Sequence, residues 1–533
     1  MERIKEYLNG KNSVKGATGI LIITLTFSNI LGMLRDHFLA QKIPADLLDT
    51  YYVAFRLPDL IFNILILGAI AAAFIPVFTN YISQNKEKEG WRIANSFLNI
   101  SMLSLIIFAV ILAILMPYLI PLLVSNFSLE KQELTTKLAR IMLFSPIFFG
   151  ISYIFGGILN SFKRFLVYSI APLIYNLSII LSTIFLADRY NIWGVVIGVI
   201  GGAFLHMMVQ IPGAIKVGFK YSFILDAYHE GVKKIYKLMI PRAIGLGAMQ
   251  IMLLTFTAIA STLSVGSVAI FHLADNIQTM PIVVFGTSFA TAIFPTLSEA
   301  HSRKETDKFL TYLWRGIRAI IYLLIPAGIG IILLRAQIVR LILGSGYFGW
   351  EETINTANTL GFFAISLFAQ GLIAHLARTF YALHNTKIPM IISVVSFAVS
   401  IISAFIFSPI LGVSGLGLAF SIGSITNLCL LYFIIRKKIN GFIAEEKNNI
   451  NFLLKIIFAS AVMAIFVQLT KFSIGSAVGE LDRFWEVLLQ TGTATILGAG
   501  VYFFVTWQMG CEEIVEIISL IKRKFGLTSS TNE

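Results

Sequence analysis

Charged and amide side chains recur inside otherwise apolar stretches of this chain, and any chemistry it does must use them. Ser28, Asn29, Arg35 and Asp36 stand near the end of the first long apolar run, and Asp49, Arg56 and Asp59 at the start of the second. Later come Arg242 beside Pro241, then Gln250, then His272, Asp275, Asn276 and Gln278, and finally Gln370, His375 and Arg378. A charge at mid-bilayer costs roughly 2.5–3.5 kcal/mol on insertion scales, so such a residue faces a cavity or a partner. The chemistry on offer is therefore ion pairing and, for the histidines, proton carriage. Arg56 and Asp59 are three apart and share a helix face. Arg35 and Asp36 are adjacent, point about 100° apart on a helix, and are expected to take different partners. Asp275 sits in the middle of a long apolar run, far from either basic flank, which makes it the costliest carboxylate in the chain and a functional candidate.

Each of these residues also has a purely structural reading. Asp36 and Asp59 would form helix-end ion pairs that fasten the first hairpin. Asp275 would pair with Arg242 or stay protonated in the core. His272 and His375 read as packed rings rather than proton carriers, and Arg140, Arg315 and Arg318 as snorkelling or helix-end groups. Cys429 and Cys511 lie in or beside apolar segments, give no zinc-type spacing and read as structural thiols. There is no nucleotide-binding glycine loop with a lysine, no HExxH, and no GxSxG in a strand–turn–helix setting, which argues against an enzyme and against a bound cofactor. Energy for any transport would come from an ion gradient, the membrane potential or a partner.

The elements that hold these residues follow from composition. The 533 residues are 57% hydrophobic and 13% charged, with a mean hydropathy of +0.82, whereas a soluble chain carries roughly 25% charged residues. Lipid must be the solvent for most of it. Runs of about 20 apolar residues occur about fourteen times, near 15–36, 51–80, 94–124, 138–161, 166–187, 192–217, 236–262, 266–298, 309–343, 355–382, 388–409, 413–435, 450–470 and 484–508. Pro58, Pro146, Pro172, Pro241, Pro281 and Pro326 fall inside them and invite kinks. Met1–Lys15 is polar, with no apolar core and cleavage site, so the first helix is expected to direct insertion itself.

The net charge of +13 is spread over short clusters between apolar runs, which points to membrane topology rather than to nucleic acid. Arg3, Lys5, Lys11 and Lys15, then Lys86, Lys88 and Arg92, Lys163 and Arg164, Lys216–Lys237, Arg303, Lys304 and Lys308, Lys387, Arg436–Lys438 and Lys522–Lys524 fall on alternate loops. The opposite loops carry few, among them Lys42, Lys131 and Lys137. A ratio of about four to one places both termini in the cytoplasm.

The chain also repeats itself. AAFIPVFTNYIS from Ala72 matches TAIFPTLSEAHS from Thr291, GISYIFGGILN from Gly150 matches GLIAHLARTFY from Gly371, and Gly194 falls opposite Gly415. The offset stays at about 219–221 residues. Six spans per repeat is even, so the halves share one orientation. The expected organisation is an all-α integral membrane protein of about 14 transmembrane helices. It comprises an N-lobe (1–217), a cytoplasmic linker (218–235), a C-lobe (236–438), a helix pair (439–510) and a tail (511–533).

SNILGMLRDHFLA (Ser28–Ala40), DTYYVAFRLPDL (Asp49–Leu60) and AAFIPVFTNY resemble the opening of the MurJ/MviN lipid II flippases. GGILNSFKRF, APLIYN (Ala171–Asn176), LADNIQTMP (Leu273–Pro281), IFPTLS and RTFYALHNTKIP (Arg378–Pro389) are similar to later motifs of that family, in order across about 30–440. The family belongs to the multidrug/oligosaccharidyl-lipid/polysaccharide exporter superfamily. The resemblance implies two six-helix lobes around a central cavity, two further helices forming a lipid-facing groove, and alternating access. It implies a substrate of undecaprenyl-diphosphate carrying the peptidoglycan precursor. It places the protein in a bacterial cytoplasmic membrane, with membrane lipids and cell-wall synthesis enzymes as neighbours.

Arg35 matches a cavity arginine of the family, and Asp36 and Asp49 match its acidic neighbours. Arg56 stands where a basic residue is usual. Asn29, Phe62 and Asn276 stand where relatives commonly carry arginine. Arginine's planar fork suits phosphate oxygens, so Arg56, Arg242 or Arg378 would supply the missing charge. The expected cavity set is Arg35, Asn29, Arg56, Arg242, Asn276 and Arg378, and the expected gate set is Asp36, Asp49, Asp59 and Asp275. Alternatives are a flippase for another polyprenyl-linked saccharide, a cation-coupled drug exporter centred on Asp275, a membrane scaffold, and an integral membrane transferase.

Overall fold

The computed structural model describes residues 14–67, 73–479 and 483–514, and every regular element among them is a helix. Lipid offers no partner for a backbone N–H or C=O, so a spanning segment must close its own hydrogen bonds. In the first half α1 is Val14–Lys42, α2 Ala45–Phe62, α3 Ile75–Ser83, α4 Glu87–Leu123, α5 Leu129–Met142, α6 Phe144–Ser161, α7 Phe165–Tyr190, α8 Ile192–Met208 and α9 Ile211–Lys216. There follow α10 Glu230–Ser261, α11 Ser267–Pro281, α12 Ser288–Ser302, α13 Thr306–Leu343, α14 Trp350–Ile365, α15 Leu367–Ala382, α16 Lys387–Leu411 and α17 Val413–Lys438. The last two are α18 Phe442–Val478 and α19 Phe484–Gln508.

Among the described residues eleven spans are long and apolar enough to cross a membrane, and twelve when the bent pair α14–α15 counts as one. They coincide with the expected runs from the third onward. The first expected run is α1. The second begins with α2 and resumes at α3 beyond residues 68–72, which lie outside the described residues, as do Arg3, Lys5, Lys11 and Lys522–Lys524.

The internal repeat is written in the backbone. A π-turn follows α2 at Asn63–Leu67, and another follows α11 at Ile282–Thr287. Helix-ending turns with positive φ at non-glycine residues occur at Asn85 and Lys304, and again at Lys163 and His384. Each closes with the same bond from the following amide to the carbonyl five back: Arg164 N to Leu159 O at 2.8 Å, Asn385 N to Phe380 O at 2.9 Å. This is the Schellman pattern that satisfies the last helical carbonyls. Asn191 and Gly412 share a third conformation, φ 51° and ψ −134° against φ 61° and ψ −143°. All fall at the offset of about 219–221 residues found in the sequence.

Small residues set the closest helix packing. Gly194, Gly198 and Gly202 form a stripe on α8 against α7, where an added Cβ at Gly194 would lie 2.7 Å from the Leu186 carbonyl carbon, and at Gly198 would overlap the Ser182 hydroxyl. Gly415 and Gly423 repeat the arrangement on α17 against Phe407 and Ser400 of α16. Without a hydrophobic drive between helices in lipid, such close backbone approach is what holds a pair together.

The chain divides into two compact units, the first reaching Leu273 and including Ile342–Glu352, the second formed by Ala274–Leu341 and the residues from Thr353 onward. In the first, the segment after α9 is pinned to α4: Asn95 donates to Lys220 O at 3.0 Å and accepts from Ser222 N at 2.8 Å, while Asn99 donates to Ser222 O and Ile224 O. In the second, α14 and α15 meet at a 45° bend. The carbonyls freed there are capped by hydroxyls, with Ser421 donating to Phe362 O at 2.6 Å and Ser366 to Phe363 O at 3.2 Å. One apolar core of this unit joins α13, α15 and α17. A second joins α13 to α18 and α19 through Leu334, Ile456, Met463 and Tyr502.

Candidate functional site

The first unit gathers most of the residues singled out from the sequence, in two clusters within its helices and one at the α1–α2 hairpin. In the first cluster Arg35 of α1 turns back on its neighbour. Its Nη2 and Nε reach Asp36 Oδ1 at 2.8 and 3.0 Å, and its Nη1 donates to Asn176 Oδ1 of α7 at 3.2 Å. The expectation of separate partners for Arg35 and Asp36 is thus corrected. A long arginine stem wraps around the helix to its neighbour, and in a membrane span a close carboxylate outweighs the helical angle. Asn176, inside the motif APLIYN but unranked from the sequence, in turn donates to Ser28 O at 3.4 Å. Asn29 is half-buried on the same helix, outside this bonded cluster.

Arg56 of α2 forms the second cluster. It is 5% exposed; its Nε donates to Thr257 Oγ1 of α10 at 2.7 Å, and its Nη2 meets His272 Nε2 of α11. The His272 ring lies flat on Tyr52, with centroids 4.6 Å apart. Tyr52 Oη is buried there and has no hydrogen-bond partner among the described residues. Asp59 is half-buried one turn beyond Arg56 and within its field. Phe62 is buried against Phe149 and Tyr153 as an apolar wall.

The hairpin carries the third cluster, a clasp. Asp49, 2% exposed, accepts from Gly266 N at 2.8 Å and Ala269 N at 2.9 Å. These are amides at the start of α11, where the first helical N–H groups lack internal partners and the helix dipole favours an anion. Gly266 takes φ 85°, and its α-carbon faces Ala45, so a side chain there would be both strained and crowded. Lys131 of α5 reaches Asp49 Oδ2 at 3.1 Å and Asp46 Oδ1 at 2.5 Å, with its ammonium 3.8 Å over the Phe127 ring. From the sequence Lys131 is only a loop charge; no local signal links it to residues about 80 positions earlier. Close by, Gln41 O accepts from Tyr347 N at 3.2 Å and a His37 ring nitrogen lies 2.7 Å from Ile342 O.

The second unit holds Asp275 at the head of a polar chain. Gln278 donates to Asp275 Oδ1 at 2.9 Å, Gln370 to Gln278 Oε1 at 2.9 Å and also to Ser366 at 3.1 Å, and Ser366 meets Ser421 at 2.9 Å. The chain crosses α11, α15 and α17 and ends at the bend. Arg378 donates to Ala374 O of its own helix at 3.1 Å, and Asn276 is half-buried on α11. His375 is fully buried, its Nε2 donating to Leu313 O at 3.0 Å, and is packed against Gly316, as a structural ring would be. The Arg242 side chain lies outside the described residues. No three metal-ligating side chains converge among the described residues.

The model of the family described as Lipid II flippase MurJ matches residues 44–481. The chain is similar to the Lipid II flippase MurJ of Burkholderia cenocepacia, 26% identical over 91% of this chain and 95% of that protein. It is similar also to the Probable lipid II flippase MurJ of Bdellovibrio bacteriovorus, 28% identical over 95% and 97%. A solved structure of the lipid II flippase MurJ in an inward closed conformation superimposes with a TM-score of 0.76 at 25% identity, over 95% of this chain and 99% of that one. An inward-facing multidrug transporter of the MATE family matches in fold, with a TM-score of 0.65 at 18% identity over 80% of this chain and 99% of that one.

Proposed function

Because the chain belongs to the lipid II flippase MurJ family, we propose that it carries undecaprenyl-diphosphate-linked peptidoglycan precursor from the inner to the outer leaflet of a bacterial cytoplasmic membrane, by alternating access. The observation that supports this reading beyond membership is a buried Arg56 joined through the His272 ring to Tyr52, whose hydroxyl is unspent, in the unit that also holds Arg35. A diphosphate entering a low-dielectric site loses its hydration, and planar guanidinium donors replace it with paired, charge-assisted hydrogen bonds. Arg35 gives up little to do so, since Asp36 and Asn176 already hold its fork in place. Arg242 and Arg378 remain candidates to add charge, with Asn29 and Asn276 as neutral donors.

The transport cycle follows from the clasp. With both termini in the cytoplasm, the α1–α2 hairpin lies on the outer side, so the bonds from Asp49 to α11 close that side. Binding of the headgroup at Arg35 and Arg56 would favour closure toward the cytoplasm, and the clasp would break to release the cargo outward. Asp36 and Asp59 balance the arginines when no cargo is bound. The protein works as a transporter and not as an enzyme, drawing on an ion gradient or the membrane potential.

The arrangement at Phe62 favours a second cargo as an alternative. Its ring is committed to Phe149 and Tyr153 and cannot donate to a phosphate, so a polyprenyl-linked saccharide with a less anionic headgroup would suit the same cavity. Complementation in a bacterium depleted of its own lipid II flippase separates the two. Rescue by the wild type, lost in a well-inserted Arg35→Ala variant, is the expected result. Failure of a correctly inserted wild type to rescue would move the assignment to the other cargo.

A further inference from the structure

The polar chain that starts at Asp275 has a direction, and an ionised carboxylate sets it. A carboxylate only accepts, an amide donates at one end and accepts at the other, and a hydroxyl has one proton to give. Asp275 Oδ1 takes the Gln278 nitrogen at 2.9 Å, so Gln278 turns its oxygen to Gln370 Nε2, also at 2.9 Å. The same Gln370 nitrogen donates to Ser366 Oγ at 3.1 Å. With its oxygen accepting there, Ser366 sends its own proton to the bend, to Phe363 O at 3.2 Å.

The far end of the chain is a hydroxyl with two acceptors. Ser421 Oγ stands 2.6 Å from Phe362 O and 2.9 Å from Ser366 Oγ, and its single proton serves one of them at a time. That choice reaches the backbone. Ser366 N bonds Phe363 O at 3.1 Å, three residues back, so Phe362 O lacks the amide that an unbroken helix would give it. While Ser421 fills that place, the 45° bend between α14 and α15 is satisfied. Without it, a bare carbonyl in an apolar interior would reclaim Ser366 N and straighten the pair. Gln278, Ser366 and Ser421 are each 0% exposed, so bulk water does not compete for these bonds.

Asp275 is half-buried, so its end of the chain is the one open to a proton. A proton on Oδ1 turns the acceptor into a donor, and each link then reverses. Gln278 presents its oxygen to Asp275 and its nitrogen to Gln370, whose oxygen comes round to Ser366. Ser366 gives its proton to that oxygen and accepts from Ser421, which leaves Phe362 O. The added proton stays on Asp275, and each hydroxyl keeps its own. The other titratable groups on the helices involved are engaged elsewhere or lie at their far ends. His272 meets Arg56, His375 Nε2 donates to Leu313 O, and Arg378 donates to Ala374 O. Tyr432 and Arg436 both bond Glu446, with Lys437 and Lys438 beside them in the last turn of α17. Glu351 and Glu352 are in the first turn of α14, and Cys429 and Tyr381 are exposed.

We propose that Asp275 is where this transporter takes up a coupling proton, and that Gln278, Gln370, Ser366 and Ser421 relay its charge state to the bend between α14 and α15. Uptake straightens the pair and release bends it. The inference rests on the reading above only in taking an ion gradient as the drive, and it uses no cargo contact.

The full chain carrying Cys429→Ala, Cys511→Ala, Ile354→Cys and Tyr381→Cys is spin-labelled in lipid nanodiscs without cargo. The two label positions are 39% and 43% exposed and lie on α14 and α15. Straightening the 45° bend should lengthen the distance between them by about 3 Å, at 1.5 Å of rise per residue. Electron–electron double resonance reads that distance as the pH falls from about 9 to about 4, the span in which protein carboxyls take up a proton. A lengthening on acidification is expected, and it should vanish in Asp275→Asn and in Gln370→Leu. Ser421→Ala removes the cap itself and should hold the longer distance at every pH, which keeps the test open if another variant fails to insert. A distance that ignores pH in the parent protein would overturn the proposal. So would a shift that survives in Asp275→Asn or Gln370→Leu, or a Ser421→Ala protein that stays bent. Because no cargo is present, none of these results depends on which headgroup is carried.

Discussion

The Asp49 carboxylate accepts the backbone amide of Gly266 at 2.8 Å although the two residues are 217 positions apart. A helix N-terminus presents several N–H groups at once, so one buried carboxylate can hold a whole helix. Lys131 neutralises the charge that this arrangement buries.

Loss of the clasp should therefore be graded. Asp49→Ala removes three charge-assisted contacts and is expected to cost roughly 2–4 kcal/mol of closure. Lys131→Met leaves the two amide bonds and should cost less. In a background with Cys429 and Cys511 replaced by alanine, maleimide labelling of Ala269→Cys, buried in the wild type, should rise most with Asp49→Ala. Equal labelling in both variants would show that Lys131 carries the clasp. The double variant should fall short of additivity, because the two residues share one interaction.

Arg56→Lys should insert normally and complement poorly at low expression. A lysine is a point charge on a flexible stem and cannot serve Thr257 and His272 together as the fork of Arg56 does. His272→Phe, by contrast, keeps the face-to-face packing on Tyr52. It should keep most of the protein yield. Comparing growth rescue with membrane abundance for the two variants distinguishes a cargo contact from a packing contact.

Two glycines of α8 three residues apart should behave oppositely. At Gly198 a Cβ overlaps Ser182, while at Gly201 the nearest atom, Ser178 Oγ, is 3.8 Å away. Gly198→Val is expected to destabilise the detergent-solubilised protein by about 1–3 kcal/mol, the usual cost of overpacking. Gly201→Val should stay within about 0.5 kcal/mol, as for a substitution that meets no close neighbour. Thermal unfolding followed by fluorescence reads the difference.

Cys511 lies just beyond the last spanning helix, and burial pushes its thiol above the ordinary range. The thiolate is the reactive form, so at any given pH less of it is present than for a free thiol. Maleimide labelling of Cys511 should be slow at pH 7 and should gain speed only at a more alkaline pH than labelling of a free cysteine peptide. A pH profile matching the free peptide would show that the thiol is exposed in membranes.

The sequence is most informative where one local rule suffices. Apolar runs place the spans because lipid forces helices, and the repeat offset read from Ala72, Gly150 and Gly194 returns in the turns at Asn85, Lys163 and Asn191. Partners across the fold are harder to read. Lys131 looks like any loop lysine until the hairpin folds over it. Asn176 sits in a short apolar motif with nothing to mark it as the second anchor of Arg35. Adjacency misled at Arg35 and Asp36, since helical angles constrain Cβ directions and not the reach of a six-atom side chain.

The π-turns at Asn63–Leu67 and Ile282–Thr287 change how these helices must be read. A π-turn fits an additional residue into the coil, so everything beyond it is rotated by roughly 100° relative to an unbroken helix. A single helical wheel drawn from Ser267 to Ser302 would put Asp275 and Gln278 in the wrong phase with Thr291 and Pro295. The wheel has to be restarted after residue 287, and in the first half at Ile75, since π winding is present again at residues 73–74.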